Sequence, residues 1–246
     1  MTQKNFDKWA SIYDLIYGEY KNDLGFYKNE AKKSKGKALE IACGTGRLYL
    51  EILKTGVDIY GIDISDAMLK ILKQKAKKLN LKPKINKADM RNFKLKNKFS
   101  LIIVPFRSFM HNLTIEDQIK SLKNFRRHLS PSGKLIINFF FPKPELMTKK
   151  LGKVWKYNVR ANKKKLRVQG KYFLFDEINQ IAEFTQSLFQ KNKEIWKGRF
   201  KMTYFYKREF ELLLRLAGFK KWKLYGGFDY KPYKEKTQEM VWVIEN

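Results

Sequence analysis

The sequence predicts an α/β fold: a seven-stranded, mostly parallel sheet with helices on both faces, plus a small antiparallel β insertion. Three observations predict it. Short apolar strands alternate with helical segments along most of the chain, as in βαβ units. Residues 101–104 are apolar at every position, as expected for a central strand of a parallel sheet. After Pro142 aromatic or apolar residues alternate with polar ones, which is typical of antiparallel strands.

The predicted elements follow one another without a clear linker. The seven strands of the main sheet are predicted at 37–42, 57–62, 84–88, 101–104, 134–141, 219–224 and 240–244. Helices are expected at about 48–54, after the capping Ser65, from Thr114 to about His128, and from 207 to 217. Residues 130–133 are interpreted as a turn. In the last helix we expect Leu212, Leu213 and Leu216 to face inward.

The length and composition predict one domain over residues 1–246. Its 246 residues, 43% of them hydrophobic, are enough for a substantial core. We expect an N-terminal helical cap at about 1–35 and the β insertion at about 153–206. The N-terminus lacks the apolar stretch of a signal peptide, and no apolar run reaches the roughly 20 residues of a membrane helix. The single cysteine, Cys43, fits a reducing compartment, so a cytoplasmic protein is expected, as a monomer or homodimer.

The charge is strongly positive. Lys and Arg number 53 against 24 Asp and Glu, a formal net charge of +29. Such a field attracts polyanions, which makes nucleic acid or an anionic membrane a candidate partner. Lys far outnumbers Arg and is scattered along the chain, whereas bidentate phosphate recognition favours Arg. Codon bias in an AT-rich genome explains the same composition, so nucleic acid stays an alternative that is not favoured.

A glycine-containing turn after the first predicted strand indicates a nucleotide site. Gly44 and Gly46 allow backbone to approach a ligand closely, and the helix that follows offers free N–H groups. Any Rossmann-like site has these features. The third glycine of the dinucleotide fingerprint is replaced by Tyr49, which counts against NAD or FAD. Asp63 ends the second strand, 19 residues after Gly44, where its carboxylate can accept hydrogen bonds from both ribose hydroxyls.

The motifs together resemble the class I S-adenosylmethionine (SAM)-dependent methyltransferases. Glu-x-Ala-Cys-Gly-Thr-Gly at 40–46 resembles their motif I, and residues 61–68 and 88–90 resemble the second and third motifs. Residues 129–137 are similar to the start of the family's fifth strand. The resemblance covers nearly the whole chain. It is strongest to single-domain small-molecule methyltransferases with a β insertion after strand five, such as glycine or aminosugar N-methyltransferases.

The resemblance implies SAM as the cofactor and a set of residues that bind it. Asp63 would hold the ribose, Asp89 would meet the adenine amino group and Met90 would pack on the adenine ring. Ala42 stands where a glycine is commonest, and Ser100 where the fourth strand often begins with Asp. The cofactor-binding residues that we expect are Tyr13, Ala42, Cys43, Gly44, Gly46, Asp63, Ile64, Met68, Asp89, Met90, Pro105 and Phe106.

The reacting end needs little chemistry of its own, because an activated methyl group requires chiefly an aligned nucleophile and exclusion of water. His111, in the loop after the fourth strand, is a candidate general base or acceptor-orienting group. Arg107 is a candidate to hold an anionic group of the substrate or of the protein. Tyr13, followed by Asp14, matches a pair that folds over the cofactor in similar enzymes and is a second catalytic candidate; core packing explains it equally well.

The insertion is expected to roof the acceptor pocket, with Trp155, Tyr204 and Tyr206 as candidate substrate residues. Two His and one Cys in separate contexts make no zinc site, so no metal is expected. We therefore predict methyl transfer to N or O of a small-molecule acceptor. The alternatives are an RNA or protein methyltransferase, suggested by the charge, and a SAM-binding protein without turnover.

Overall fold

Eleven strands form two sheets in the part of the chain that the computed structural model describes, residues 3–140, 154–161, 164–235 and 238–246. The strands are β1 Ala38–Ile41, β2 Ile59–Asp63, β3 Lys84–Lys87, β4 Phe99–Val104, β5 Leu129–Phe140, β6 Val154–Ala161, β7 Lys164–Asp176, β8 Ile181–Gln190, β9 Lys193–Thr203, β10 Lys221–Tyr225 and β11 Glu239–Glu245. The larger sheet has the order β10-β11-β5-β4-β1-β2-β3, and β6 to β9 form the smaller sheet. Both sheets were predicted, and the fold class is confirmed.

The larger sheet is parallel from β5 to β3, and β11 runs antiparallel between β5 and β10. Its central strands are buried because helices cover both faces: all four residues of β1 are buried, and so are five of the six in β4. The carboxyl ends of β1, β2 and β4 therefore meet at one edge of the sheet, the edge where open α/β sheets bind ligands.

The fifth strand begins earlier than predicted. Residues 130–133, predicted as a turn, belong to β5, and the pairing with β4 shifts register between Phe99 and Leu101. A Cβ at Gly133 would lie 2.8 Å from the carbonyl oxygen of Phe99, so only glycine allows this approach. The expected turn is therefore a bulge within a continuous strand.

Six α-helices and one short 3-10 turn, Ser108–His111, connect the described strands. The helices are α1 Gln3–Tyr17, α2 Leu24–Lys33, α3 Tyr49–Leu53, α4 Asp66–Lys78, α5 Ile115–His128 and α6 Lys207–Leu216. Ser65 and Thr114 cap α4 and α5, because their side-chain oxygens accept from the backbone N–H of Met68 and Asp117. Within the described residues, no helix is both long enough and apolar enough to cross a lipid bilayer.

The buried face of α6 differs from the prediction. Leu213 and Leu214 are buried, whereas Leu212 and Leu216 are each 61% exposed. Phe210, Leu213 and Leu214 follow the i, i+3, i+4 spacing of one helical face, and Leu212 and Leu216 lie off that face. The inward placement of Leu212 and Leu216 was therefore wrong.

Helix α1 connects the two sheets. Its residues Ile12 and Ile16 pack with Leu166, Val168 and Leu188 on the inner face of the smaller sheet. The other end of that sheet joins the core of the larger sheet through residues such as Ala182 and Met202. As a result, α1 and the smaller sheet together face the carboxyl edge of the larger sheet across an open space.

Candidate functional site

A cavity of about 650 Å³ fills the space between the carboxyl edge of the larger sheet, α1 and the inner face of the smaller sheet. Its size is that of a small-molecule site. The larger sheet contributes the loops after β1, β2, β3 and β4, and α1 contributes four aromatic side chains, those of Phe6, Trp9, Tyr13 and Tyr17. The cavity is thus built from segments that are far apart in sequence.

The loop after β1 turns through left-handed backbone. Ala42, Gly44 and Gly46 have φ angles of 56°, 53° and 84°. A Cβ at Gly46 would lie 2.8 Å from Cγ of Leu72, so this glycine lets the loop pack against α4. Gly44 lines the cavity, and the loop exposes its backbone there.

Asp63, at the end of β2, connects this loop to the start of α4. One carboxylate oxygen accepts from the N–H of Gly44 at 2.8 Å, and the other from the N–H of Ser65 at 2.8 Å. Burial raises the pKa of Asp63 to about 6, although these N–H groups favour the charged form. At neutral pH the group is therefore a buried carboxylate that faces the cavity and has lone pairs left to accept from ligand hydroxyls.

Asp89 follows β3 and pairs with Arg91. The Arg91 Nε lies 3.0 Å from one Asp89 oxygen, and its Nη1 lies 2.8 Å from Asp117 on α5. Burial alone would raise the pKa of the Asp89 carboxyl, but the bonds and charge of Arg91 hold it below its ordinary value. Beside it, the thioether of Met90 accepts from Asn112 at 3.3 Å. These contacts fix the cavity wall between β3 and α5.

The loop after β4 is strained and ion-paired. Phe106 and Arg107 are consecutive non-glycine residues with φ of 53° and 65°. The Arg107 guanidinium donates to both carboxylate oxygens of Glu239 on β11, at 3.2 and 2.9 Å, and Asn138 donates to the same carboxylate at 2.8 Å. Of the two roles expected for Arg107, the structure shows it holding an anionic group of the protein.

His111 ends the 3-10 turn and is partly buried between α1 and β9. Its Nδ1 lies 3.2 Å from the carbonyl oxygen of Lys201, and the edge of Phe6 contacts its ring, with centroids 5.1 Å apart. Burial lowers the pKa of His111 to about 4. The imidazole is therefore neutral at pH 7: Nδ1 carries the hydrogen that it donates to Lys201, and Nε2 is left as an acceptor.

Helix α1 is held over the loops by two carboxylates. Asp14 accepts from the Thr45 hydroxyl at 2.6 Å and from Lys75 at 3.0 Å, and Asp7 accepts from the Ser65 hydroxyl at 2.5 Å. Neighbouring Tyr13 lines the cavity. Burial raises the pKa of its phenol, so Tyr13 stays protonated at neutral pH and is a hydrogen-bond donor rather than a base.

The smaller sheet forms the wall opposite the loops. Phe184 and Phe200 stack in parallel, with ring centroids 5.1 Å apart and planes 3° apart. Trp155 stacks on Tyr157 in the same wall. Gln186, only 2% exposed, is a polar side chain among these rings.

Twelve of the residues predicted for the site line the cavity. They are Tyr13, Ala42, Gly44, Asp63, Ile64, Met68, Asp89, Met90, Phe106, Arg107, His111 and Trp155. Five do not line it: Cys43, Gly46, Pro105, Tyr204 and Tyr206.

The five residues outside the cavity have other surroundings. Cys43 is buried against β2, where its Sγ lies 2.9 Å from the position of a Cβ at Gly61, and Gly46 packs on α4. Pro105 is buried where β4 ends. Tyr204 is buried in the core beyond β9, and Tyr206 is half exposed at the start of α6.

Sequence reasoning missed several lining residues: Trp9, Arg91, Asn112, Gln186 and Phe200. Trp9 carried a signal, since it shares one face of α1 with Tyr13 and Tyr17. Gln186 and Phe200 carried none, because alternation along a strand does not show which face is turned toward a ligand.

Comparison with known proteins agrees with this arrangement. Residues 38–133 match the model of a family described as a methyltransferase domain. An uncharacterized methyltransferase of Bacillus mycoides is 30% identical over 139 residues, which are 53% of this chain and 63% of that protein. The match therefore spans less than two thirds of the curated relative's own length.

Two solved structures share the fold over almost the whole chain. The CcbJ methyltransferase of Streptomyces caelestis superposes with a TM-score of 0.82 at 19% identity, covering 99% of this chain and 98% of that one. SAM-bound CalS10 of Micromonospora echinaspora, an amino pentose methyltransferase, has a TM-score of 0.73 at 17% identity, covering 95% and 96%. Residues 38–133 thus match a methyltransferase domain, and almost the whole chain shares its fold with solved methyltransferases, one of them with SAM bound.

Proposed function

We propose that the protein binds SAM and transfers its methyl group to a nitrogen or oxygen of a small-molecule acceptor. The observation that carries this proposal is the buried Asp63 carboxylate, which faces the cavity and is joined to the N–H of Gly44 in the glycine loop. This carboxylate, 19 residues after Gly44 in the sequence, is suited to accept hydrogen bonds from ribose hydroxyls. The likeness to an amino pentose methyltransferase supports an amine as the acceptor.

The residues present fit the cofactor. The left-handed loop at Gly44 leaves backbone exposed to a ligand, Asp63 accepts from the ribose, and Asp89 and Met90 line the wall assigned to the adenine. Bound SAM supplies a sulfonium-activated methyl group. Aromatic faces such as those of Tyr13 and Phe106 favour a positively charged sulfur nearby.

The chain contributes positioning in a largely apolar site. Helix α1 and the smaller sheet line the cavity with aromatic side chains, so a bound acceptor displaces water there and is held in place. Neutral His111 offers Nε2 to a donor N–H or O–H, which orients the lone pair of the attacking atom. Because burial lowers the pKa of His111 to about 4, the imidazole is a weak base, and an amine acceptor attacks as its free base. Tyr13, which keeps its proton, serves as a donor.

Calorimetry of SAM binding tests the cofactor assignment. Asp63→Ala is expected to weaken binding about tenfold or more, since hydrogen bonds to a charged group contribute about 1.5–3 kcal/mol. The matched control is Asp58→Ala, which removes a carboxylate that pairs with Lys84 on the surface at 2.7 Å and should leave the affinity unchanged. Equal affinity of wild type and Asp63→Ala would show the assignment to be wrong. A labelled-methyl assay across amines, phenols, carboxylates, RNA and protein then identifies the acceptor class.

A further inference from the structure

Two glycines and two tryptophans surround Gln186 in the smaller sheet, and of the two indoles Trp155 lines the cavity. In the smaller sheet, Gly170 and Gly198 are the register partners of Gln186 on either side. A Cβ at Gly170 would lie 1.9 Å from the Trp155 ring, and one at Gly198 would lie 2.2 Å from the Trp196 ring. Each indole therefore covers a glycine, and the Gln186 amide stands between two flat aromatic surfaces.

Among the residues that the structure describes, the Gln186 amide has hydrogen-bonding capacity left over. Its recorded side-chain contact is with the Tyr17 hydroxyl, at 3.2 Å from Nε2 and 3.4 Å from Oε1. A primary amide offers two donor hydrogens and two acceptor lone pairs, and one hydroxyl engages only part of them. Gln186 is 2% exposed, and it lines the cavity, so the part of its amide that reaches the cavity surface can bond to a ligand there.

The charged groups that line the cavity are already occupied, within the residues that the structure describes. Arg107 pairs with Glu239, and Arg91 pairs with Asp89 and Asp117. Asp63 lies at the glycine loop, bonded to backbone N–H groups. A carboxylate or phosphate that entered the aromatic part would lose its hydration without gaining a free cation, which is unfavourable.

We infer that the aromatic part of the cavity binds a ring of the acceptor that carries no negative charge and that Gln186 determines specificity by hydrogen bonding to a polar substituent on that ring. Naming this ring as part of the methyl acceptor rests on the proposed function. The ring-binding site itself does not, so the two can fail separately.

Fluorescence titration of the protein with three small ring compounds tests the inference, because Trp9 and Trp155 line the cavity and report its occupancy. The probes are p-cresol, toluene and 4-methylbenzoate. Wild type should bind p-cresol about tenfold or more tighter than 4-methylbenzoate, whose charge must be buried unpaired. Gln186→Leu should weaken p-cresol binding about tenfold, the effect of one hydrogen bond, and leave toluene unchanged.

Gln169→Leu is the matched control, since Gln169 precedes Gly170 on β7 and lies on the opposite face of the sheet. It should bind all three probes as wild type does. Three results would overturn the inference: none of the probes binds, 4-methylbenzoate binds as tightly as p-cresol, or Gln186→Leu weakens p-cresol and toluene equally. Normal ring binding with no SAM binding would instead refute the proposed function alone.

Discussion

At the scale of single residues, we expect Asp63 to make SAM binding pH-dependent. Its pKa of about 6 in the free protein means that the carboxylate takes up a proton as the pH falls through 6. A protonated carboxyl accepts less well from ribose hydroxyls, so a bound ligand favours the ionised form. We expect the Kd for SAM to be constant above about pH 7 and to rise by up to tenfold per unit below pH 6.

Calorimetry between about pH 5 and 8 measures this dependence. His111, with a pKa of about 4, and Asp89, whose pKa is lowered, do not titrate in that range. Asp58→Ala should follow the wild-type profile, and Asp63→Asn, which has no proton to gain there, should bind weakly with a flat profile. A wild-type Kd that is the same at pH 5 and pH 7 would contradict the role given to Asp63.

Prediction of individual residues is best supported where the position depends on local backbone. Gly44 and Asp63 were found from a strand, a tight turn and a spacing of 19 residues, and the structure joins them by a hydrogen bond. The partner of Arg107 was not predictable, because Glu239 lies 132 residues further along the chain and on a strand of the opposite direction. Gln186 was missed because a polar residue in a strand of alternating polar and apolar residues is expected to face solvent.

At the scale of elements, α1 closes the cavity and is attached to the loops mainly by carboxylates. Asp14→Ala removes the bonds to Thr45 and Lys75. The Asp14 and Lys75 side chains are each about one third exposed, so solvent screening limits the loss to about 1 kcal/mol. We expect SAM binding roughly fivefold weaker and faster amide hydrogen exchange in α1, with exchange in the larger sheet unchanged.

Hydrogen exchange followed by mass spectrometry checks this expectation. Asp58→Ala serves as the control, because it also removes a carboxylate–lysine pair but does not touch α1. If α1 exchanges at the wild-type rate in Asp14→Ala, the apolar contacts of Ile12 and Ile16 with the smaller sheet are sufficient to hold the helix.

The types of the secondary-structure elements were predictable from the sequence. The residues at which the elements begin and end, and the faces that they bury, were less predictable. The strands were found from apolar runs. However, β5 includes residues 130–133, because a bulge there keeps the strand paired with β4. The same residues fit the sequence pattern of a turn, so the bulge was predicted as one. In α6 the leucine-rich segment offers two candidate faces, and Phe210 decides between them by packing beside Trp242 in the core.

At the scale of the whole molecule, the charge of +29 and the small-molecule cavity point to different partners. If the positive charge does not form a specific RNA-binding site, RNA binding is non-specific and dominated by counterion release. We expect labelled RNA to bind at about 50 mM salt and to lose roughly a thousandfold or more in affinity by about 200 mM, without methyl incorporation. Filter binding with a parallel labelled-methyl assay measures both, and methyl transfer into RNA at physiological salt would favour the polymer reading.

The pairing of Arg107 with Glu239 has a consequence for the order in which the parts of the cavity form while the chain is being synthesised. The glycine loop, Asp63 and Asp89 leave the ribosome well before β11 does, so the nucleotide half of the site can assemble while β5 is still an edge strand. Arg107 stays without its counter-charge until Glu239 emerges and β11 inserts between β5 and β10. A nascent chain can therefore form the part of the cavity around Asp63 before the ion pair of Arg107 on the other side of the cavity is complete.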